Sequence, residues 1–238
     1  MSSTSVTTIS TCPPSSGNDG VSSGSDEVAA RLADVRARIS RAGGDPERVK
    51  VLAVTKGFGP EAVVAARAAG LTAIGENYAS ELLAKAPGPP GTQWHFLGAV
   101  QRNKVRVLAP LVEVWQGVAR FSEGERIARF APGARVLVQI DYTGLPGRNG
   151  CAAADAPALV EALLGLRLAV EGLMTVAPPG APAARAAFRS LTALADALGL
   201  PERSMGMSGD LEEAVAAGST MVRVGRALFG ERPPVRAG

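Results

Sequence analysis

This sequence is poor in cysteine and has no long apolar run, and each shortage excludes a class of protein. Its two cysteines, Cys12 and Cys151, lie too far apart to suggest a disulfide framework or a metal knuckle, so a reducing compartment is expected. The longest apolar runs, residues 136–140 and 159–168, are well below the roughly 20 residues that cross a bilayer. The N-terminus lacks the basic front and apolar middle of a secretory signal. We therefore expect a cytoplasmic protein without a membrane segment.

Aromatic residues and histidine are also scarce. Aromatic side chains make up 4% of the 238 residues, and 25 basic residues are interleaved with 22 acidic ones. A platform of stacking rings between basic residues has little material here, so no nucleic acid partner is predicted. The single histidine, His95, excludes a metal site with several imidazoles and a nucleophile–histidine triad built elsewhere in the chain. From the residues alone, His95 is either a buried core histidine or a polar group at a strand end.

What is present is a regular alternation of short apolar runs and alanine-rich amphipathic segments. Residues 1–25 are rich in Ser, Thr and Gly and are predicted to form a disordered tail, and residues 233–238 a short C-terminal tail. A helix from Asp26 to just before Gly43 is predicted from the helical spacing of its apolar residues, Val28, Leu32, Val35 and Ile39. Strands are predicted at residues 49–55, 72–75, 93–97, 112–118, 135–141, 168–174, 204–207 and 221–224.

The number and order of these elements predict one α/β domain over residues 26–232. About eight strands, each followed by a helix or a shorter loop, are typical of a single (β/α)₈ TIM barrel, here with an added N-terminal helix. A doubly wound sheet is the alternative, because strands and helices alternate in both folds. Its usual Gly-rich phosphate fingerprint is missing, since residues 55–60 after the first strand read Thr-Lys-Gly-Phe-Gly-Pro. The barrel is therefore the predicted fold.

Lys56 ends the first predicted strand, which in a barrel is where working side chains lie. Only four of the 25 basic residues are lysines, so this chain uses arginine wherever a cation alone is enough. A lysine partly desolvated at the mouth of an apolar strand has a lowered pKa and a nucleophilic amine, and arginine cannot form a Schiff base. From the residues alone, Lys56 is either such a nucleophile or an ordinary solvated lysine.

The loops after the last two predicted strands point to an anion. Ser208 precedes a predicted helix, so its hydroxyl and the following amides face the positive end of a helix dipole, although Ser208 and Asp210 could equally cap that helix. Gly225 lets backbone amides approach an anion, and TIM barrels commonly bind phosphate in these loops. Arg223 would face inward as a buried cation, and its partner would be an aromatic nitrogen, a phosphate or an internal carboxylate.

Six ordered motifs carry a family resemblance, at residues 52–56, 74–78, 94–104, 171–174, 206–210 and 218–225. With them the chain resembles the pyridoxal phosphate homeostasis proteins, small relatives of the alanine racemase N-terminal barrel (PLP fold type III). The resemblance implies the cofactor pyridoxal 5′-phosphate (PLP), held as a Schiff base on Lys56. It also implies an intracellular role in PLP homeostasis and, indirectly, in that of amino acids, without substantial catalysis. PLP-dependent apoenzymes are candidate partners, and a monomer is expected rather than a dimer.

The resemblance also implies the remaining site residues. Ser208 and the backbone at Gly225 and Arg226 would hold the phosphate, and Arg223 would face the pyridine nitrogen. The pocket would be lined by Asn77, His95 and Met174. The sequence departs from the family in the loop 141–150, where many members carry a Glu and a Lys before the glycine and this chain has Arg148-Asn149-Gly150. Any role transferred to that loop is therefore in doubt.

Two other functions compete with PLP binding alone. The first is a PLP-dependent amino-acid racemase, but racemases of this type resemble a barrel followed by a β domain that supplies a catalytic tyrosine. This chain ends at Gly238, soon after the last motif, and contains only Tyr78 and Tyr142. The second is a PLP-free phosphosugar enzyme on a generic barrel. Whether the protein delivers, stores or senses PLP stays open at this stage.

Overall fold

The computed structural model describes residues 19–232 and shows a closed barrel of parallel strands in the order β1 to β8. The strands are β1 Lys50–Val54, β2 Ala73–Glu76, β3 Gln93–Phe96, β4 Val112–Val118, β5 Arg135–Ile140, β6 Ala169–Thr175, β7 Glu202–Ser204 and β8 Met221–Val224. The helices are α1 Asp19–Arg41, α2 Pro60–Ala68, α3 Ala79–Lys85, α4 Val105–Leu108, α5 Phe121–Phe130, α6 Ala156–Gly165, α7 Ala181–Ala197, α8 Leu211–Ala216 and α9 Arg226–Phe229. The predicted barrel is confirmed.

The strands are apolar on both faces because each face is covered. Inside the barrel, Leu52, Val54, Leu97 and Met221 form one buried cluster. On the outside, a larger cluster packs the strands against the helices. β1 pairs with β2 on one side and with β8 on the other, so the sheet has no open edge. Closure brings the ends of β1, β7 and β8 together, although they are far apart in sequence.

The N-terminal helix is longer than predicted. Its four predicted apolar residues are all buried, and they pack α1 against the barrel. The helix begins at Asp19 and not at Asp26, so it includes residues 19–25 of the predicted tail. The Gly- and Ser-rich composition of residues 19–25 did not indicate a helix, because a helix anchored by packing further along can extend through residues of low intrinsic propensity. Residues 1–18 and 233–238 lie outside the described residues.

The seventh strand was wrongly predicted. The predicted strand 204–207 shares only Ser204 with the observed β7, Glu202–Ser204. Glu202 and Arg203 were missed because they are polar, and both form ion pairs, with Lys50 and Asp196 respectively. At the other end, Gly206 has a φ of +92°, so the chain leaves the extended conformation there.

No helix within residues 19–232 is both long and apolar enough to cross a membrane.

Candidate functional site

A cavity of about 550 Å³ opens where the strands end. Its walls come from residues at or just after the ends of β1, β2, β3, β6, β7 and β8 and from the loop after β5, and they include the segment 176–181. All predicted site residues except His95 line it, namely Lys56, Asn77, Met174, Ser208, Arg223, Gly225 and Arg226. The barrel topology explains this, because the carboxyl ends of parallel strands meet on one face.

Lys56 is the one lysine among the described residues that lines this cavity. Its pKa is lowered, first by burial and then by the cations of Arg232 and Arg223, while Glu76 and Glu81 act in the opposite direction. No carboxylate in residues 19–232 forms an ion pair with it. The amine is therefore biased toward the neutral, nucleophilic form.

The other end of the cavity is built by the loops after β7 and β8. The Ser208 hydroxyl accepts a hydrogen bond from the backbone N–H of Ala227 at 3.2 Å, so it joins the two loops and does not cap α8. Asp210 instead accepts from the N–H of Met207 at 2.5 Å. A Cβ on Gly225 would lie 2.9 Å from the Val54 carbonyl oxygen. Glycine therefore lets the β8 loop lie directly against the end of β1.

Arg223 is buried inside the barrel, as its position in β8 predicted, and is 5% exposed. It donates to the Ser204 carbonyl at 2.5 Å and hydroxyl at 2.9 Å, and to the Thr175 carbonyl at 2.6 Å. These acceptors tie β8 to the ends of β6 and β7. Burial lowers the pKa of Arg223 to about 10, so it remains a cation at neutral pH. It forms no salt bridge with any described carboxylate, and it lines the cavity, so its guanidinium can also face a ligand.

His95 is the predicted pocket residue that does not line the cavity. His95 in β3 and Leu97, the residue just after β3, face inward on the same side of the chain. Only Leu97 reaches the cavity, so the histidine lies one layer deeper. Its Nδ1 is 2.7 Å from the Gln116 amide nitrogen, and burial lowers its pKa to about 4. The Gln116 carbonyl oxygen accepts from the Ser204 hydroxyl at 2.6 Å. His95 is thus a neutral member of a buried polar chain that leads to Arg223.

The loop 141–150, where this chain departs from the family it resembles, also reaches the cavity. Arg148 lines it, and Asn149 ties the loop to the barrel by donating to the Gly117 carbonyl at 2.9 Å and to Gln139 at 2.7 Å. Sequence reasoning missed Arg148 as a lining residue. The signal was its position shortly after β5, at the same end of the barrel as Lys56.

The chain is similar to a family model and to several bacterial relatives. The model is the alanine racemase N-terminal domain, which matches residues 25–233. The pyridoxal phosphate homeostasis protein of Pseudomonas aeruginosa is 40% identical over 220 residues, which is 86% of this chain and 96% of that protein. The protein of the same name from Escherichia coli K12 is 35% identical over 229 residues, covering 87% of this chain and 97% of its own.

Solved structures agree with these relatives. PipY of Synechococcus elongatus, solved with PLP bound, superposes with a TM-score of 0.76 at 34% identity, covering 85% of this chain and 100% of PipY. Alanine racemase from Corynebacterium glutamicum superposes with a TM-score of 0.68 at 18% identity, covering 90% of this chain and 63% of the racemase. At that identity the racemase supports the fold alone.

Proposed function

Since this chain belongs to the pyridoxal phosphate homeostasis protein family, built on the alanine racemase N-terminal domain, we propose that it binds PLP covalently through Lys56. Its role would be the intracellular homeostasis of PLP and, indirectly, of amino acids. The observation that carries the proposal is the position of Lys56. This lysine lines the cavity, has a lowered pKa and forms no ion pair with any described carboxylate.

The residues of the cavity fit the polar groups of PLP. Asn77 Oδ1 is buried without a hydrogen-bond partner among the described residues, and Arg223 also lines the cavity, so both can meet polar groups of a ring. Arg223 would donate to the pyridine nitrogen, with Asn77 and Met174 lining the ring site. Ser208 and the backbone at Gly225 and Arg226 would hold the phosphate.

When bound, PLP supplies an aldehyde that condenses with a primary amine, forming a C=N bond and releasing water. Burial prepares Lys56 for this by favouring its neutral amine. Arg223 is held in place by Ser204 and Thr175 and can donate a hydrogen bond to a ligand. Because its guanidinium stays charged at neutral pH, it does not transfer a proton to the pyridine nitrogen. An unprotonated pyridine nitrogen is a weaker electron sink, which suits binding better than catalysis.

We therefore propose a binding protein and not a racemase. A racemase needs a second acid–base group on the opposite face of the substrate. Neither tyrosine lines the cavity: Tyr78 is 60% exposed, and the Tyr142 hydroxyl is buried with no partner among the described residues. The relatives are also named for homeostasis and not for a reaction.

Partners and location are part of the same proposal. The cavity is bordered by Met207 and Arg226, which are exposed, so PLP could pass to an apoenzyme without opening of the barrel. A monomer in the cytoplasm remains the prediction from the sequence.

The proposal is tested by chemically reducing the bond between the cofactor and its lysine and then locating that lysine. Borohydride reduction of the purified protein, followed by peptide mapping, should place a phosphopyridoxyl adduct on Lys56. Lys56→Ala should lose this adduct and its absorbance while keeping the folded circular dichroism spectrum. Lys104→Ala, a change at an exposed lysine that does not line the cavity, is the control and should keep both. An adduct on another lysine in Lys56→Ala would refute the assignment.

A further inference from the structure

A buried ion cluster lies beside Lys56 and is not part of the cavity wall. It consists of Lys85, Glu76, Glu81 and Thr55 and is called the Lys85 cluster below. The Lys85 ammonium donates to Glu76 at 2.6 Å, to Glu81 at 3.0 Å and to the Thr55 carbonyl at 2.8 Å. The Thr55 hydroxyl donates to the same Glu76 oxygen at 2.6 Å. Lys85 is 4% exposed, and Glu76 and Thr55 are fully buried.

Such a cluster is not explained by stability alone. Removing an ammonium and a carboxylate from water is costly, and a well-packed apolar pair is often as stable. The chain also chooses a lysine here although most of its basic residues are arginines. A compact ammonium can meet acceptors in three directions at one point, which a planar guanidinium cannot do. The geometry at Lys85 therefore requires a point donor.

The cluster forms hydrogen bonds with the backbone on both sides of Lys56. Lys85 holds the carbonyl of Thr55, which belongs to the peptide group before Lys56. Glu81 accepts from the N–H of Gly57 at 2.8 Å, which belongs to the peptide group after Lys56. Because peptide groups are planar, fixing both sets the two backbone dihedrals of Lys56 and the direction of its Cα–Cβ bond. Gly57, with a φ of +75°, then turns the chain away.

We propose that Lys85 and Glu81 are positioning residues for Lys56, which aim its amine into the cavity by holding the peptide groups on either side of it. This inference rests on the proposed function, because it assigns these residues to covalent attachment of PLP. The inference predicts that the Lys85 cluster affects the covalent bond between PLP and Lys56 and does not affect the recognition of the phosphate. Ser208 bonds to Ala227 and Gly225 lies against Val54, and neither is a hydrogen-bond partner of Lys85 or Glu81.

The test separates attachment from phosphate recognition by comparing two ligands. PLP carries the aldehyde that reacts with Lys56, whereas pyridoxine 5′-phosphate has a hydroxymethyl group there and can use only the non-covalent contacts. Lys85→Met and Glu81→Ala should weaken PLP binding and slow borohydride-trapped adduct formation by roughly 10- to 100-fold, because a misdirected reacting group costs about that much. Affinity for pyridoxine 5′-phosphate should change by less than about twofold.

Two further variants sharpen the test. Glu81→Gln keeps an oxygen that can accept from Gly57, so it should retain most of the attachment rate and absorbance that Glu81→Ala loses. Lys50→Met is the matched control, because Lys50 lies at the opposite end of β1 and also pairs with a glutamate, Glu202, at 2.5 Å. Lys50→Met should leave the affinities for PLP and for pyridoxine 5′-phosphate unchanged. If Lys85→Met does not fold, the two Glu81 variants decide, since the Glu81 side chain is 28% exposed.

Three outcomes overturn the inference. Equal losses for PLP and pyridoxine 5′-phosphate would mean that the cluster is only structural. Unchanged attachment in a folded Lys85→Met or Glu81→Ala would mean that Lys56 needs no such support, and equal losses in Glu81→Ala and Glu81→Gln would exclude the bond to Gly57. In each case the wild-type protein would still form the adduct on Lys56, and the proposed function would be retained. Absence of that adduct from wild-type protein would instead refute the proposed function.

Discussion

Arg38 of α1 donates a hydrogen bond from Nη2 to the backbone carbonyl of Ser208, 3.0 Å away. The same guanidinium binds both carboxylate oxygens of Glu212, at 2.6 and 2.7 Å, and this pair raises the pKa of Arg38 and lowers that of Glu212. The helix that precedes the barrel is thus tied to the loop proposed to hold the phosphate. α1 therefore supports the site and does more than cover the barrel.

Replacing Arg38 by Met should loosen this loop and weaken PLP binding. We expect a loss of roughly 2- to 5-fold, because the ion pair is partly exposed and such pairs contribute about 1 kcal/mol or less. Pyridoxal, which has no phosphate, should bind as before; fluorescence titration measures both. Arg36→Met is the control, since Arg36 is exposed on the same helix and forms no ion pair with any described residue. Equal effects of the two changes would contradict the role of Arg38.

Ser208→Ala should weaken PLP far more than pyridoxal. The hydroxyl joins the loops after β7 and β8 through Ala227 and is proposed to contact the phosphate, and hydrogen bonds to charged groups contribute about 1.5–3 kcal/mol. A loss of about 10-fold or more is expected for PLP, measured by equilibrium titration with both ligands. A urea unfolding curve checks that the barrel is intact. Similar losses for both ligands would place the phosphate elsewhere.

His95 should make the protein less stable as the pH falls below neutrality. Burial lowers its pKa from 6.5 to about 4, so between these values the unfolded chain binds the proton and the folded chain does not. Its contribution is fully present above about pH 6.5 and is lost as the pH falls toward 4, amounting to about 2 kcal/mol by pH 5. Urea unfolding at pH 7.5 and pH 5 measures the change.

The variant His95→Gln isolates this contribution, because every other titrating group is shared with the wild type. The loss of stability between the two pH values should be about 2 kcal/mol smaller in the variant. Identical pH dependence in the two proteins would show that His95 titrates normally in the folded state.

The PLP-loaded protein should show no significant racemase turnover. Neither tyrosine lines the cavity, and a missing acid–base group costs roughly 10²- to 10⁴-fold in rate by itself. Incubation with L-alanine and other L-amino acids, followed by chiral chromatography, measures the D-isomers. Turnover of about 1 per second or faster, an ordinary enzymatic rate, would revive the racemase alternative.

The architecture could be read from the sequence because it depends on local pattern. The alternation of apolar runs and amphipathic segments predicted the barrel, and the position of Lys56 after the first run predicted its place at the mouth. The exceptions are instructive. β7 was missed because its polar residues are paired in the fold, Glu202 with Lys50 and Arg203 with Asp196, and the start of α1 because its Gly- and Ser-rich residues have a weak local helix propensity.

The order of residues along the chain specifies which face of a strand each side chain occupies, and so it indicated that Arg223 points inward. It does not specify the depth of a side chain along the barrel axis, which depends on how far neighbouring strands are staggered. That stagger puts Leu97 at the cavity and His95 below it, and gives Arg223 the acceptors of Ser204 and Thr175. The hydrogen bond from Lys85 to the Thr55 carbonyl likewise forms only once β1, β2 and α3 have packed together, because the two residues are 30 positions apart in the chain.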